Sequence, residues 1–284
     1  MTAQRVAKIF GVVGLLMLLF FLWPDTWPAK ELVNDLYANA STSLLSISVT
    51  VLLIDRLNES RAAQQDRKRL IREMGSGDSA TALRAAKEII AGGWSTDGSL
   101  RGADLARANL AGVRLGAADF TEANLTNAVL LEAEMPQARL HRALLKGAQA
   151  EQCVLKGSDL SGANMAKIGL AGANLESVTI DGDCELLRAE FQGASMRNAI
   201  LAGAQMEECD LRGCDLTEAD LRTASLRKAT VSGAIFDRAV LERCDLTELR
   251  EWRKIASMKG AQIAGIRNAP DGFRELALQL GAVE

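Results

Sequence analysis

Residues 100–115 read LRGADLARANLAGVRL, and a leucine returns at every fifth position: Leu100, Leu105, Leu110 and Leu115. The series continues through Phe120, Leu125 and Leu130 and closes with Leu226, Val231, Phe236, Leu241 and Leu246. Two positions before each large residue stands a small one, as in Ala103, Ala108, Ala118, Ala123 and Ala128. Neither regular element accommodates this period. On an α-helix five residues advance about 500°, a net of about 140°, and the leucines scatter around the axis. On a strand the side-chain period of two sends successive leucines to opposite faces. The pattern is satisfied when each pentad is a short extended segment followed by a turn. The large residue, the centre of the pentad, and the small residue two before it then face one side together. The residues flanking the centre face out: Asp104, Asn109, Asp119 and Asn124 before it, Arg101, Ala106 and Thr126 after it. Glycines such as Gly102, Gly112, Gly157, Gly162, Gly172, Gly193, Gly203 and Gly213 fall at the corner, where a turn needs a permissive backbone.

An internal repeat of this kind organises the whole chain. LRGADLARANLAGVRL, LSGANMAKIGLAGANL and CDLRGCDLTEADLRTASL resemble the A-(D/N)-L-x-x signature of pentapeptide-repeat proteins over roughly half the chain. The resemblance implies an all-β fold, a right-handed quadrilateral β-helix with four pentads per coil. At a strand spacing of ~4.8 Å it implies about seven coils and a rod of roughly 35 Å, in which each coil is stabilised by its neighbours.

Composition agrees. Of 284 residues only 4% are aromatic, as expected where the interior takes leucine and alanine, and the net charge is -3. All five cysteines, Cys153, Cys184, Cys209, Cys214 and Cys244, fall two before a centre, in the place of the inward alanine. They read as small buried hydrophobes rather than a metal site. An odd count without framework spacing points to a reducing compartment.

The chain opens with MTAQRVAK and an apolar run from Ile9 to Trp23. With Val6, Ala7 and a snorkelling Lys8, and extended to Trp27, it is long enough for a bilayer, and Trp23 and Trp27 suit the interface belt. A second apolar stretch runs from Leu36 to Ile54, with Ala38, Thr42, Ser46 and Thr50 as a small-residue stripe for helix packing. Residues 1–56 thus read as a transmembrane helical hairpin, contacting the bilayer through 6–27 and 36–54. Arg5 and Lys8 precede it and Arg56, Arg61, Arg67, Lys68, Arg69 and Arg72 follow it, whereas the connector holds only Lys30. This places both termini and the repeats in the cytoplasm, at the inner (plasma) membrane. A cleaved signal peptide is the rival reading. The one A-x-A-like site, Ala38-Asn39-Ala40, lies too far from the apolar run to favour it.

Residues 57–77 read as a charged helical stalk whose basic residues face anionic lipid heads or solvent, with Gly75-Ser76-Gly77 as a hinge or break. Residues 78–99 read as an N-terminal cap: a helix capped by Asp78 or Ser79, running to Ala91 with Leu83, Ala86 and Ile90 on one face. The repeats occupy 100–249. Between Ile180 and Leu186 the spacing becomes six, which reads as a one-residue bulge. Its Asp181, Asp183 and Glu185 are read as an exposed acidic loop, since an EF-hand's length and glycine placement are lacking. Residues 250–284 read as a C-terminal cap, helical over 248–257 and again over 273–280, with Ala261-Gln262-Ile263 as one more pentad and a capacity for self-association.

No catalytic constellation is legible. The single histidine, His141, follows a centre and faces out, and there is no phosphate loop, nucleophile elbow or zinc spacing. The reading is of a non-enzyme with no cofactor and no metal: a membrane-anchored scaffold for an unidentified protein partner. Val129, Leu144, Val154, Ile200, Ile235 and Val240 are apolar at outward positions and are the candidate contact residues. The alternative is mimicry of DNA by the rod, the means by which some pentapeptide-repeat proteins inhibit gyrase and protect against quinolones. Residues 100–249 hold 16 Lys and Arg against 22 Asp and Glu, a net of -6 with the signs mixed, which is weak for mimicry. A net acidic rod without a basic stripe does not suit nucleic-acid binding.

Overall fold

A computed structural model of the protein describes residues 3–21 and 30–284, with side chains over 5–16 and 39–284. The chain divides into two compact units, Met1–Asp66 and Arg67–Glu284. Trp23 and Trp27, read as an interface belt, lie outside the described residues.

In the first unit, helix α1 (Ala3–Phe21) packs antiparallel against α2 (Lys30–Met74). The seam is made of small residues. Ala7 and Ser41 are fully buried, and Ser48 Oγ donates to the Ala7 carbonyl at 2.9 Å. A Cβ on Gly14 would meet the Ser41 carbonyl oxygen at 3.1 Å, tighter than an ordinary contact, so glycine eases that approach. The expected stripe is therefore displaced. The Ala38 side chain lies outside those described; Thr42, Ser46 and Thr50 are exposed, and Thr50 Oγ1 donates back to the Ser46 carbonyl instead. A seven-residue step, Ser41 to Ser48, follows a close antiparallel partner, where the four-residue step drifts off the contact.

In the second unit the pentads coil into a four-sided β-helix. Asn124 pairs in parallel with Asp104 and with Leu144, so one coil takes 20 residues and the four pentads of a coil form four ladders. The pentad at Leu125 shows how its donors are used. Asn124 N–H donates to the Ala103 carbonyl of the preceding coil (2.9 Å), while Leu125 and Asn127 donate to Leu144 and Lys146 of the next (2.7 and 3.0 Å). Ala128 N–H closes the turn on Leu125 (3.0 Å). The fifth donor, Thr126 N–H, has no backbone partner and is accepted by Asn124 Oδ1 at 3.1 Å. Asp or Asn before the centre is thus a structural acceptor, not only a wetted exterior residue. Asp119, Asp159, Asn164, Asn174, Asp215 and Asp245 repeat the bond at 3.0–3.2 Å.

The second corner residue lies at positive φ in every pentad of this kind. Glycine holds it at Gly102 (61°) and Gly213 (65°), but so do Arg107 (61°), Ala117 (55°) and Glu122 (61°). The turn geometry, not the residue, sets the conformation, and each non-glycine corner carries a modest strain. Inside, centres and small residues form one continuous core in which Phe120, Phe191, Phe236 and the leucines are buried, together with all five cysteines.

At the predicted bulge the ladder step becomes 21, Asn164 pairing with Glu185. Beyond Leu249 it becomes 22, Ile235 pairing with Ser257, because Trp252–Lys254 form a 3-10 turn in place of the longer helix expected over 248–257. Gln262 and Arg267 then complete further pairings, so the solenoid extends past 249. One ladder runs through nine residues from Asp104 to Arg267. Its eight steps of ~4.8 Å give about 38 Å, one coil more than the repeat pattern alone indicates.

Both ends are closed. The N-terminal cap begins at Arg67 rather than Asp78: Leu70 and Met74, assigned to the stalk by sequence, are buried in the core. Of the two readings of Gly75, hinge or break, the structure favours a packed break, since a Cβ there would meet the Asp104 carbonyl at 3.0 Å. Helix α3 (Ser79–Ala91) is capped by Asp78, whose carboxylate accepts Thr81 N–H at 2.9 Å. It buries Ala82, Ala85, Ala86 and Ile89. Ile90, expected on that face, is exposed, because the buried stripe runs through Ala82, Ala85, Ala86 and Ile89 instead. The carbonyls of Ser76 and Ser95 accept the first-coil amides of Asn109 and Asp119 (2.9 and 2.8 Å), which protects the open edge. At the other end helix α4 (Phe273–Gln279) buries Phe273 against Trp252, ring centroids 5.8 Å apart. Val283 pairs with Gln262, and Arg274 donates to the Ile266 carbonyl at 3.3 Å.

Candidate interaction surface

Each ladder defines one face, and each face presents one outward residue per coil between two corners. The face of Asp104 carries Asn124, Leu144, Asn164, Glu185, Gln205, Ser225 and Asp245. The next carries Asn109, Val129 and Asp210, the third Val154, Asp215 and Ile235, and the fourth Asp119, Ile200, Asp220 and Val240. The six apolar outward residues are therefore distributed over all four faces. Ile200 and Val240 share one face two coils apart, with Asp220 between them. Val154 and Ile235 share another, four coils apart. Val129 and Leu144 stand alone on theirs. Ile200 (50%) and Leu144 (45%) are the most exposed of the six, and the four valine and isoleucine residues at the other positions are half-buried. Sequence periodicity missed two further exposed leucines, Leu131 and Leu187, because they occupy corners rather than ladder positions.

Charges pair along the columns. Arg114 reaches Glu134 (3.3 Å), Lys156 reaches Glu176 (2.8 Å), Arg188 reaches Glu208 (2.6 Å) and Arg238 reaches Glu218 (2.7 Å), each from one coil to the next. Arg222 holds Asp220 in a two-bond contact, 2.8 Å from Nε and 2.5 Å from Nη2, and this keeps the Asp220 carboxyl below its usual range. At Asp215 burial pushes the carboxyl up, but bonds from Thr217 and Arg197 outweigh it and the net shift is downward. Asp210, Asp215 and Asp220 lie on three different faces. These three carboxylates are thus paired locally and do not form one continuous negative strip.

The bulge is a structural device. Asp181 Oδ1 accepts Gly162 N–H (3.0 Å) and Asp183 N–H (3.2 Å), so its carboxylate stitches the bulge to the coil above. The Cys184 thiol also lies 3.3 Å from it. Among the described residues no group of three or more His, Cys, Asp or Glu could hold a metal ion. Burial pushes the thiols of Cys153, Cys209, Cys214 and Cys244 up to about 12. Cys209 and Cys214 donate to the Leu186 and Phe191 carbonyls (3.1 and 2.8 Å) rather than to each other. His141 sits half-buried at a corner.

A family model described as pentapeptide repeats matches in eight copies over residues 99–133, 138–176, 189–227 and 224–250. Among solved structures, the chain is similar to HetL, a pentapeptide repeat protein involved in heterocyst differentiation regulation from the cyanobacterium Nostoc sp. The identity is 25%, over 59% of this chain and 79% of that one, with a TM-score of 0.28. It is similar to QnrB1, a plasmid-mediated fluoroquinolone resistance protein, at 17% identity over 62% and 91% of the two chains, TM-score 0.38. A pentapeptide repeat protein from the cyanobacterium Cyanothece matches at 23% identity over 47% and 91%, TM-score 0.35. No curated protein matches the chain.

Proposed function

The chain belongs to the pentapeptide-repeat family, and from that premise we propose that it is a non-catalytic protein-interaction scaffold anchored at the cytoplasmic face of the inner membrane. The observation that carries the membrane reading is the inside-out helix pair. Small and hydroxyl residues line its seam, whereas Ile9, Val12, Leu15, Leu16, Leu53 and Ile54 are exposed on its outside. In water that arrangement is costly; in hydrocarbon it is the expected one. Among the described residues one helix, Asn39–Met74, is long and apolar enough to cross a membrane. The excess of arginine and lysine outside the connector supports a two-span hairpin with both ends cytoplasmic.

The scaffold role rests on the regular faces and on the local neutralisation of their charge, which favours a protein partner over mimicry of DNA. Ile200 and Val240 on one face, and Ile235 around the adjacent corner, are the proposed contacts. Membrane fractionation tests the anchor: the protein should stay in the pellet at alkaline carbonate, and a Leu16→Lys, Leu53→Lys variant should leave it. A wild-type protein released by carbonate overturns the anchor. Capture from solubilised membranes tests the scaffold. A defined partner should be lost on Ile235→Glu, Val240→Glu substitution, and recovery unchanged by that variant removes the patch.

A further inference from the structure

We infer that the face bearing Leu144 is a self-association surface, on which a second copy of this chain docks antiparallel with the two-fold axis between the coils of Asn164 and Glu185. The inference concerns the solenoid alone and does not rest on the membrane anchor. It is carried by the order of charges along that face and its two corners. The ladder Asp104, Asn124, Leu144, Asn164, Glu185, Gln205, Ser225 and Asp245 numbers the coils one to eight. Coil one is net positive through Arg101 and Arg107, coil three through Arg142 and Lys146, and coil four through Lys167. Coil five is net negative through Asp181, Asp183 and Glu185, coil six through Glu207 and Glu208, and coil eight through Glu242, Asp245 and Glu248. Coil two holds Glu122; coil seven holds Arg222, Arg227 and Lys228, of which Arg222 also holds Asp220 and Arg227 lies 3.8 Å from Glu207 of its own chain.

A half-turn about the stated axis sets coil one against eight, two against seven, three against six and four against five. Every pairing joins opposite net charge. The same rotation sets like corner against like corner, so Arg107 meets Glu248, Lys146 meets Glu207, Arg101 meets Glu242 and Glu122 meets Arg222. A parallel pair would instead set Arg142 against Lys146 and Arg222 against Arg227 at the same level, which repels. Like-charge juxtaposition across an interface is a strong selector of register. The exposed apolar groups fall where the antiparallel register uses them. Leu187, 44% exposed on the corner of coil five, meets Ala166 of the second copy beside the axis, and by symmetry does so twice. Leu144 meets Gln205. Two pairings are of like sign, Lys167 with Arg188 and Asp104 with Asp245. Arg188 is already paired with Glu208 of its own chain at 2.6 Å, whereas Asp104 and Asp245 accept hydrogen bonds from the Asn124 and Asn268 amides at 3.0 and 3.1 Å and keep their charge, a cost at the two ends of the interface that the opposite-sign pairings must exceed. Such a dimer places the two N-terminal caps at opposite ends of the paired rods.

Disulfide capture on the full-length chain in detergent tests this directly. The five native thiols are buried, so introduced cysteines report alone. Leu144→Cys with Gln205→Cys should oxidise to a covalent dimer. Leu144→Cys alone should not, because two copies of that position lie three coils, about 14 Å, apart in this register, beyond disulfide reach. Adding Lys146→Glu to the double variant should reduce the cross-linked fraction at least tenfold, and adding Glu207→Lys as well should restore it. No cross-link in a variant with an unchanged melting transition overturns the proposal. So does cross-linking by Leu144→Cys alone, which indicates parallel pairing, or a yield indifferent to Lys146→Glu.

Discussion

Replacing Asp215 by alanine isolates the rule that gives the repeat its Asp/Asn position. The Asp215 carboxylate accepts Thr217 N–H at 3.0 Å, Thr217 Oγ1 at 2.5 Å and Arg197 Nη1 at 2.9 Å. Thr217 is only 5% exposed, so its amide finds no water when the acceptor is lost. An orphaned buried donor costs about 1–3 kcal/mol. The Arg197 pair is 44% exposed on the arginine side and is screened by solvent, so the buried amide dominates the loss. The expected loss is about 2 kcal/mol. For the unit Arg67–Glu284, an unfolding entropy of about 2.1 cal/mol/K per residue makes this about 4 °C in Tm. Asp215→Asn keeps an acceptor in place and should lose less than half as much. The converse holds at Val154, where the Lys156 amide has no side-chain acceptor. Val154→Asn should gain about 0.5 kcal/mol. Thermal melts followed by circular dichroism, with urea titration as a second readout, measure all three. If Asp215→Asn costs as much as Asp215→Ala, the acceptor argument fails and only the ion pair matters.

Three further outcomes follow from named groups. Ala117, held at φ 55°, should gain about 0.5–1 kcal/mol on Ala117→Gly, and Gly213→Ala at φ 65° should lose about 1 kcal/mol, both read from urea midpoints. A thiol reagent at pH 8 should label none of the five cysteines in the native protein and all five in denaturant, since burial holds four of them near 12 with Cys184 similarly raised by burial and by Asp181. Asp220 has a folded pKa below its unfolded value of 3.8, chiefly through the Arg222 bond, and Asp78 likewise through Thr81. Their stabilisation is complete above pH ~4 and is lost as pH falls through the lower folded values. The urea midpoint should be flat from pH 7 to about 5 and fall below pH 4; a midpoint that rises on acidification contradicts this.

The coil was legible because leucine in a narrow tube admits no substitute period, and the inward place of the five cysteines follows from the same rule. The role of the outward Asp and Asn was not legible. A side chain bonded to its own turn repeats with the same period as one that only meets solvent. The non-glycine corners were hidden for a related reason: the turn imposes positive φ on Arg107 or Glu122 without altering the repeat. Leu70 and Met74 stand four apart inside a charged stretch, a signal for a buried helix face that the surrounding arginines mask. Past Leu249 the two extra residues of the 3-10 turn shift the register, so the pairings at Ser257 and Arg267 no longer read as pentads. For the interaction surface, outward apolarity was visible residue by residue, but the face each belongs to depends on counting coils across the bulge at Asp181.

The rise per coil tests the account most directly. Spin labels at Arg139→Cys and Gln262→Cys sit on one ladder, Arg139, Asp159, Thr179, Ile200, Asp220, Val240 and Gln262, six steps apart. At ~4.8 Å per step the two positions are about 29 Å apart, and double electron–electron resonance should give one narrow distribution near that value. A broad distribution, or a mean displaced by ten ångströms or more, contradicts a continuous four-sided coil across the bulge.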